Sequence, residues 1–411
     1  MVSIKCPECK EKFELELNSI SSTIFECPFC DIILKNMDVI KNPTKEQLLS
    51  IKTLNLEILP ITLGVEVESY VIRPSGVKAK APIYPKKEAI ETGELFIDDM
   101  TIGPEYNSII FSNLAESFFL LKNGLRKFSI FAEKKSNSQL GLFGTWHQEP
   151  AGVHIHVGLD PEGGITRKDA SELYYHLHDH LPFLIAIGAN SPVYKQKLTN
   201  IASNRIMNYT KEGCNVTASE TPLCEDHFAE ICFNNPPKRK PPTLEIRVFD
   251  SNIPEFIIVE LAFIQIITLA WLNDKEPLNL LNHKNYLLAR ENAAKDGVFA
   301  KLFWNNEEIN VSNYIDKIFE YYKKEIELIE IPGDIIDIIK LLKIGWNGSI
   351  IIQKTIEKLQ EEYGKDKWVK RFCRKYINAI NHLLNGNDIR HFVRYLGLEN
   401  FPKINLINDF I

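Results

Sequence analysis

The sequence predicts an α+β fold: an antiparallel sheet with helices outside it, a small N-terminal unit and a helical C-terminal region. Three observations lead there. Short apolar runs with polar groups at every second position recur through the middle of the chain, as in half-buried strands. Helical apolar spacing fills the stretches between them and almost everything after Val311. Paired cysteines close to the N-terminus mark a separate small unit.

That first unit carries Cys6-Pro7-Glu8-Cys9 and Cys27-Pro28-Phe29-Cys30, with 17 residues between the pairs. Two such knuckles supply four thiolates, which suit a closed tetrahedral Zn2+ site. A ribbon over residues 1–40 has too small a core to fold without the metal. Glu11, Glu14, Glu16 and Glu26 make it too acidic to favour nucleic acid, so a carrier or partner protein, or the body of the molecule, is the expected contact. Cys214, Cys224, Cys232 and Cys373 show no ligand spacing and read as ordinary thiols of a reducing compartment.

A turn at Asn42-Pro43-Thr44 and a short helix, Lys45 to Thr53, lead into the body. Glu57 to Arg73 reads as extended chain, Lys78 to Gly93 as a loop, and Asn113 to Glu133 as a helix. Thr166 caps the next helix with Asp169 three positions on, in the manner of a capping box. That helix runs to about Leu181, and an apolar one follows to Ala189. Ile257 to Leu272 is the most apolar stretch, but Glu260 and Gln265 interrupt it, so it reads as a buried helix rather than a membrane span. The expected organisation is 1–40 ribbon, 41–300 core and 301–411 helical region packed on the core.

Composition is that of an ordinary globular chain: 45% hydrophobic and 25% charged, with a formal net charge of -6. It gives no general pull toward nucleic acid and no signal peptide, and it predicts a cytoplasmic protein without membrane contact. The sequence leaves homo-oligomerisation open.

The chemistry sits on three strand-like segments: Gly64-Val65-Glu66-Val67-Glu68, Gly152-Val153-His154-Ile155-His156-Val157 and Thr243-Leu244-Glu245-Ile246-Arg247-Val248. Residues two apart on a strand share a face, so each segment aims a polar pair one way and its apolar residues the other. Charges placed so need partners, because burial costs several kcal/mol per ion. Glu66, Glu68, Glu105 and Glu245 offer hard oxygen ligands of the kind Mg2+ prefers beside substrate phosphates. His154 and His156 add imidazole, tolerated by Mg2+ and Mn2+. Arg247 can hold a phosphate oxygen while Glu245 holds metal. Together these parts describe phosphoryl transfer from a nucleotide, with no P-loop and no Gly-x-Gly-x-x-Gly to hold the phosphates.

These motifs resemble the carboxylate–amine ligases related to glutamate–cysteine ligase, in the wider glutamine synthetase-like group. The resemblance rests on the Gly-x-Glu-x-Glu of residues 64–68, the acidic segment Asp98 to Glu105 and the Gly-x-His-x-His of residues 152–156. It continues through Ala189-Asn190-Ser191-Pro192, Ser203-Asn204-Arg205, Glu245-Ile246-Arg247 and Arg290-Glu291-Asn292. All keep the family's order between Leu63 and Gly297. The acidic segment is closer to the looser amidoligase relatives than to glutamate–cysteine ligases proper. The resemblance implies a curved sheet of the glutamine synthetase-like type. It implies two or three Mg2+ ions on Glu66, Glu68, Asp98, Glu105, His154 and Glu245, with Asp98 and Asp99 as alternatives at one position. Arg247 and Arg205 would grip the transferring phosphate or a substrate carboxylate, and His156 would sit near them. The implied reaction phosphorylates a carboxylate donor, glutamate foremost, with ATP; an amine acceptor then displaces phosphate to give an amide.

Other readings compete. An amidoligase acting on a peptide or carrier protein stays within the class. A metal-dependent hydrolase would use the same carboxylates without ATP, and an adaptor built on the ribbon would release no phosphate. Arg205 with Arg247 is the feature a hydrolase does not need. His176 and His180 read as a solvated helix face, His147 as a substrate contact or a satisfied loop residue, and Lys238-Arg239-Lys240 as a phosphate lid or a solvated loop.

Overall fold

The structure, a computed structural model, describes residues 2–5, 12–15, 24–26, 33–35, 61–78, 87–89, 94–99, 101–136, 138–159, 163–209, 216, 222–226, 228–235, 241–329 and 331–402. The four ribbon cysteines, the Lys45 to Thr53 helix, Cys214 and Lys238-Arg239-Lys240 lie outside these residues. Two antiparallel hairpins, Val2–Lys5 with Lys12–Leu15 and Ile24–Glu26 with Ile33–Lys35, flank the positions of the two cysteine pairs.

The centre of the molecule is a seven-stranded, wholly antiparallel sheet. Its spatial order is Ile231–Asn234, Thr243–Asp250, Gly152–Gly158, Thr62–Glu68, Gly103–Asn107, Leu95–Asp99 and Lys87–Ala89. The three polar-pair segments are therefore consecutive neighbours. Alternation does what the sequence asks of it. Leu63, Val65 and Val67, Val153, Ile155 and Val157, and Leu244 and Ile246 all enter the core. Burying each such side chain contributes roughly 1.5–3 kcal/mol, and this sets the register, since a one-residue slip would exchange the faces.

The core side is closed by helices. Leu114–Ser136 begins where Asn113 Oδ1 accepts the Glu116 N–H at 2.8 Å. Leu181–Gly188 is buried throughout. Pro254–Leu272 is long and apolar enough to cross a membrane, yet 89% of its most apolar window is buried inside the protein. Glu255 in its first turn pairs with Lys122 of the Leu114–Ser136 helix at 2.7 Å. Among the described residues Glu260 has no hydrogen-bond partner for either oxygen, and burial pushes its carboxyl well above the usual range.

Differences from the sequence reading have local causes. The extended chain after Glu57 splits at Ser69: Tyr70–Arg73 leaves the large sheet and pairs with Gly76–Lys78 and Gln139–Gly141. The Lys78 to Gly93 loop contains the short edge strand Lys87–Ala89. Thr166 caps as expected, its Oγ1 accepting the Asp169 N–H at 3.1 Å, but the helix stops at Leu177. His178–His180 then forms a 3-10 turn and is buried, not solvated. His180 Nδ1 meets the Tyr314 hydroxyl at 2.8 Å, and burial depresses its pKa to about 4, so it is a neutral packing residue. After the hairpin Lys301–Trp304 with Glu307–Asn310, the described chain is helical: Val311–Tyr321, Lys323–Ile329, Gly333–Lys343, Gly348–Tyr363, Val369–Leu384 and Ile389–Leu396. Phe372 and Tyr376 pack on Trp146 and Phe143, which joins this region to the loop before the histidine strand.

Candidate active site

The polar face of the sheet gathers the predicted residues by ladder register alone. His154 lies opposite Glu66, His156 opposite Glu245, and Glu105 opposite Glu68. Two triads result. In each, one ligand atom per residue lies within 4.8 Å of the others: Glu66, His156 and Glu245, and Glu68, Asp99 and Glu105. The second is all oxygen, which fits Mg2+; the first mixes oxygen and imidazole, which fits Mg2+ or Mn2+.

One sequence expectation is corrected here. Asp98 points away, because Phe96 and Asp98 share the face opposite Leu95, Ile97 and Asp99; Phe96 is buried in the core and Asp98 is exposed at the strand end. Asp99 is the acidic residue of the second triad. Its Oδ1 also accepts the Thr101 and Ile102 N–H groups at 2.6 and 3.2 Å, which fixes the turn to the Glu105 strand. His154 and His156 also exchange emphasis. His156 completes the first triad, with Nε2 3.5 Å from Glu66 Oε1 and Nδ1 2.8 Å from the Thr243 hydroxyl. His154 sits beside that triad, its Nδ1 3.3 Å from Glu66 Oε2, 3.5 Å from Glu245 Oε1 and 3.3 Å from Arg247 Nη1.

The electrostatics divide along the strand. Burial works to raise Glu66, but His156 and His154 outweigh it and hold the carboxyl well below its usual range. Burial likewise opposes ionisation of Glu245, and His156, Arg247 and His154 reverse it. The Glu245 carboxylate is further held by the Arg247 guanidinium and by Asn234 Nδ2 at 2.7 Å. In the second triad burial dominates. It raises Glu68 against the pull of His154 and Arg205, and it raises Glu105 well above normal, helped by Glu66 and Glu68. Asn107 Nδ2 donates to Glu105 at 2.6 Å, and Glu68 accepts the Gly152 N–H at 2.5 Å. Like charges held apart from water in this way call for cations between them.

Arg205 comes from the short helix Asn204–Tyr209 and lies under the histidine strand. A Cβ on Gly152 would stand 2.5 Å from its Nη2, so glycine there makes the passage possible. Nη2 donates to the Arg247 carbonyl at 2.9 Å, while Nε and Nη1 are buried without a partner among the described residues. A buried guanidinium with two open N–H groups is suited to an anion.

Beside the first triad opens a cleft of about 480 Å³. Glu66, His156 and Asn234 line its polar end, and Leu95, Ile109, Ile110 and Pro241 supply apolar wall.

Sequence reasoning missed several contributors. Asn107 stands two positions from Glu105 on its strand, and Asn234 ends an edge strand, Ile231–Asn234, that carries no charge to mark it. Cys232, read as an ordinary thiol, has its Sγ 3.9 Å from Glu245 Oε2. Arg290 is buried against Glu230, with Nε 2.8 Å from Oε1, and the Glu230 carbonyl accepts the Arg247 N–H at 2.8 Å. The Arg290 motif therefore braces the sheet edge. His147 is a satisfied loop residue: Nε2 lies 2.9 Å from the Val77 carbonyl, and Nδ1 3.1 Å from Gln196 Nε2.

The model of glutamate-cysteine ligase family 2 matches residues 132–231, which include both histidines and Arg205. No curated protein matches the sequence. The fold is similar to the ligase PafA in complex with the prokaryotic ubiquitin-like protein Pup (TM-score 0.52, 14% identity, 84% of this chain and 80% of that one). It is similar to glutamate–cysteine ligase of Francisella tularensis in complex with AMP (0.52, 12%, 82% and 92%). It also resembles a bifunctional glutathione synthetase of Pasteurella multocida (0.52, 10%), with 84% of this chain covering 57% of that one.

Proposed function

We propose that this chain, which has the fold of those ligases, is an ATP- and Mg2+-dependent carboxylate–amine ligase that forms an amide through an acyl phosphate. The carrying observation is the pair of triads on one sheet face with Arg205 under it: two groups able to hold cations and a buried guanidinium with open N–H groups. A hydrolase has use for the first feature and none for the second.

In this reading the cleft takes ATP, its base against Ile109, Ile110 and Pro241 and its phosphates toward Glu66 and His156; its volume is that of a small-molecule site. Mg2+ held by Glu66, His156 and Glu245 and by Glu68, Asp99 and Glu105 would neutralise phosphate oxygens and let a carboxylate approach them. Arg247 steadies the transferring phosphate, and Arg205 binds the anion of the donor, with the γ-carboxylate of glutamate as first choice. The carboxylate oxygen attacks the γ-phosphorus and ADP leaves; the amine then attacks the acyl carbon and phosphate leaves. The site supplies position and charge, which is most of what phosphoryl transfer needs. The neighbours' names add a second acceptor class, since one acts with a protein partner.

A structural Zn2+ on Cys6, Cys9, Cys27 and Cys30 belongs to the same proposal, supported by the paired strands that flank each cysteine pair in sequence.

The test is incubation with ATP, Mg2+, glutamate and a panel of amines, reading ADP and amide mass together. ADP formed only with glutamate identifies the donor. Turnover without ATP would replace the ligase by a hydrolase.

A further inference from the structure

Asp250 ends the Glu245 strand and is 1% exposed. Its Oδ2 accepts the Asn190 N–H and the Ser191 hydroxyl, each at 2.7 Å, and its Oδ1 accepts the Ser203 hydroxyl at 3.0 Å. A Cβ on Gly144 would stand 2.4 Å from Oδ1, so the chain closes over the carboxylate there with no room for a side chain. None of these contacts is with a candidate metal ligand.

The two serines pass the restraint on. Ser191 Oγ accepts the Arg205 N–H at 3.2 Å, and Ser203 Oγ accepts the Ile206 N–H at 3.2 Å. Asn204 Nδ2 donates to the Ser191 carbonyl at 2.7 Å. The backbone on both sides of Arg205 is thus fastened, through one hydroxyl each, to a single carboxylate. That carboxylate also attracts the guanidinium through space, without an ion pair: the Arg205 side chain's hydrogen bond goes to the Arg247 carbonyl.

An acceptor-only group is required at this point. Three donors converge on two oxygens, and an amide would present N–H groups to at least one of them.

We propose that Asp250 is the positioning residue for Arg205, and that Ser191 and Ser203 are its linkage. It fixes the first turn of the Asn204–Tyr209 helix and holds the guanidinium under Gly152, so that the open Nε–H and Nη1–H are presented to the substrate anion. This rests on the ligase reading for the identity of the anion, not for the restraint itself.

The experiment compares full-length wild type with Asp250→Asn and Ser203→Ala. With glutamate as donor, Asp250→Asn raises KM for glutamate about tenfold and leaves KM for ATP unchanged; Ser203→Ala gives a smaller rise of the same kind. A purely structural role would lower Tm and leave the KM ratio alone, and that result overturns the proposal. Independently of turnover, the Nε–H resonance of Arg205, assigned by its absence in Arg205→Lys, shifts or broadens in Asp250→Asn. An unmoved resonance also overturns it. No ADP from wild type refutes the ligase reading instead, and the resonance still decides the role of Asp250.

Discussion

His154 stands directly across the ladder from Glu66, its Nδ1 3.3 Å from Oε2. The same nitrogen is 3.5 Å from Glu245, so one imidazole spans the carboxylates of both flanking strands. Two acids that would otherwise repel share a neighbour, and both stay ionised in a buried place.

Glu245→Gln and Glu66→Gln remove a charge from the first triad while keeping the side-chain shape. Each is expected to lower glutamate-dependent ADP formation by about 10²–10³-fold with the far-ultraviolet circular dichroism unchanged. Wild-type turnover in either variant would refute the site.

Gly152→Ala places a methyl group 2.5 Å from Arg205 Nη2. The guanidinium must move. The expected result is a loss of roughly 1–3 kcal/mol by urea denaturation, with a raised KM for the donor.

Asp250 gives a pH signature. Burial raises its pKa from 3.8 to about 6, against the pull of Arg205 and its hydrogen bonds. A raised folded-state pKa favours the native state below the unfolded value and loses that contribution as pH rises through the folded one. The stability of Asp250→Asn relative to wild type should therefore rise by about 2 kcal/mol between pH 4 and pH 7. A difference that is flat over this window would contradict the assignment.

Mg2+ should be needed for nucleotide to protect the fold. At about 100 Kd of ATP with Mg2+ the stabilisation is about 2.7 kcal/mol, seen as a rise of a few degrees in Tm. Chelation should abolish it, and Glu105→Gln should weaken it.

Zinc content checks the ribbon. Purified protein should hold one zinc per chain by elemental analysis, and Cys9→Ser should lose it without changing Mg2+-dependent protection by ATP.

Much of the site was legible because strand parity is a strong constraint. The i, i+2 pairs told which residues share a face, and the apolar residues between them fixed the side that is buried. Asp98 and Asp99 show the limit: adjacent acids on a strand point oppositely, and only the packing of Phe96 decides which enters the site. Asp250 was illegible for another reason. Alternation from Glu245 assigns it to the core side, and no local pattern announces that the count breaks.

The break is a β-bulge. Val153 pairs with Phe249 and Ile155 with Ile246, so Arg247 and Val248 together oppose His154. One surplus residue reverses the facing of everything beyond it. Phe249 joins the apolar cluster, and Asp250 reaches Ser191 and Ser203. A single strand thereby serves two ends, the proposed cation site before the bulge and the proposed support of Arg205 after it. Running this strand straight with every residue retained would exchange the two positions, setting a carboxylate among the aliphatics and a phenyl ring among the hydroxyls. For this strand, the reading frame of facing is as much a part of the site as the residues in it.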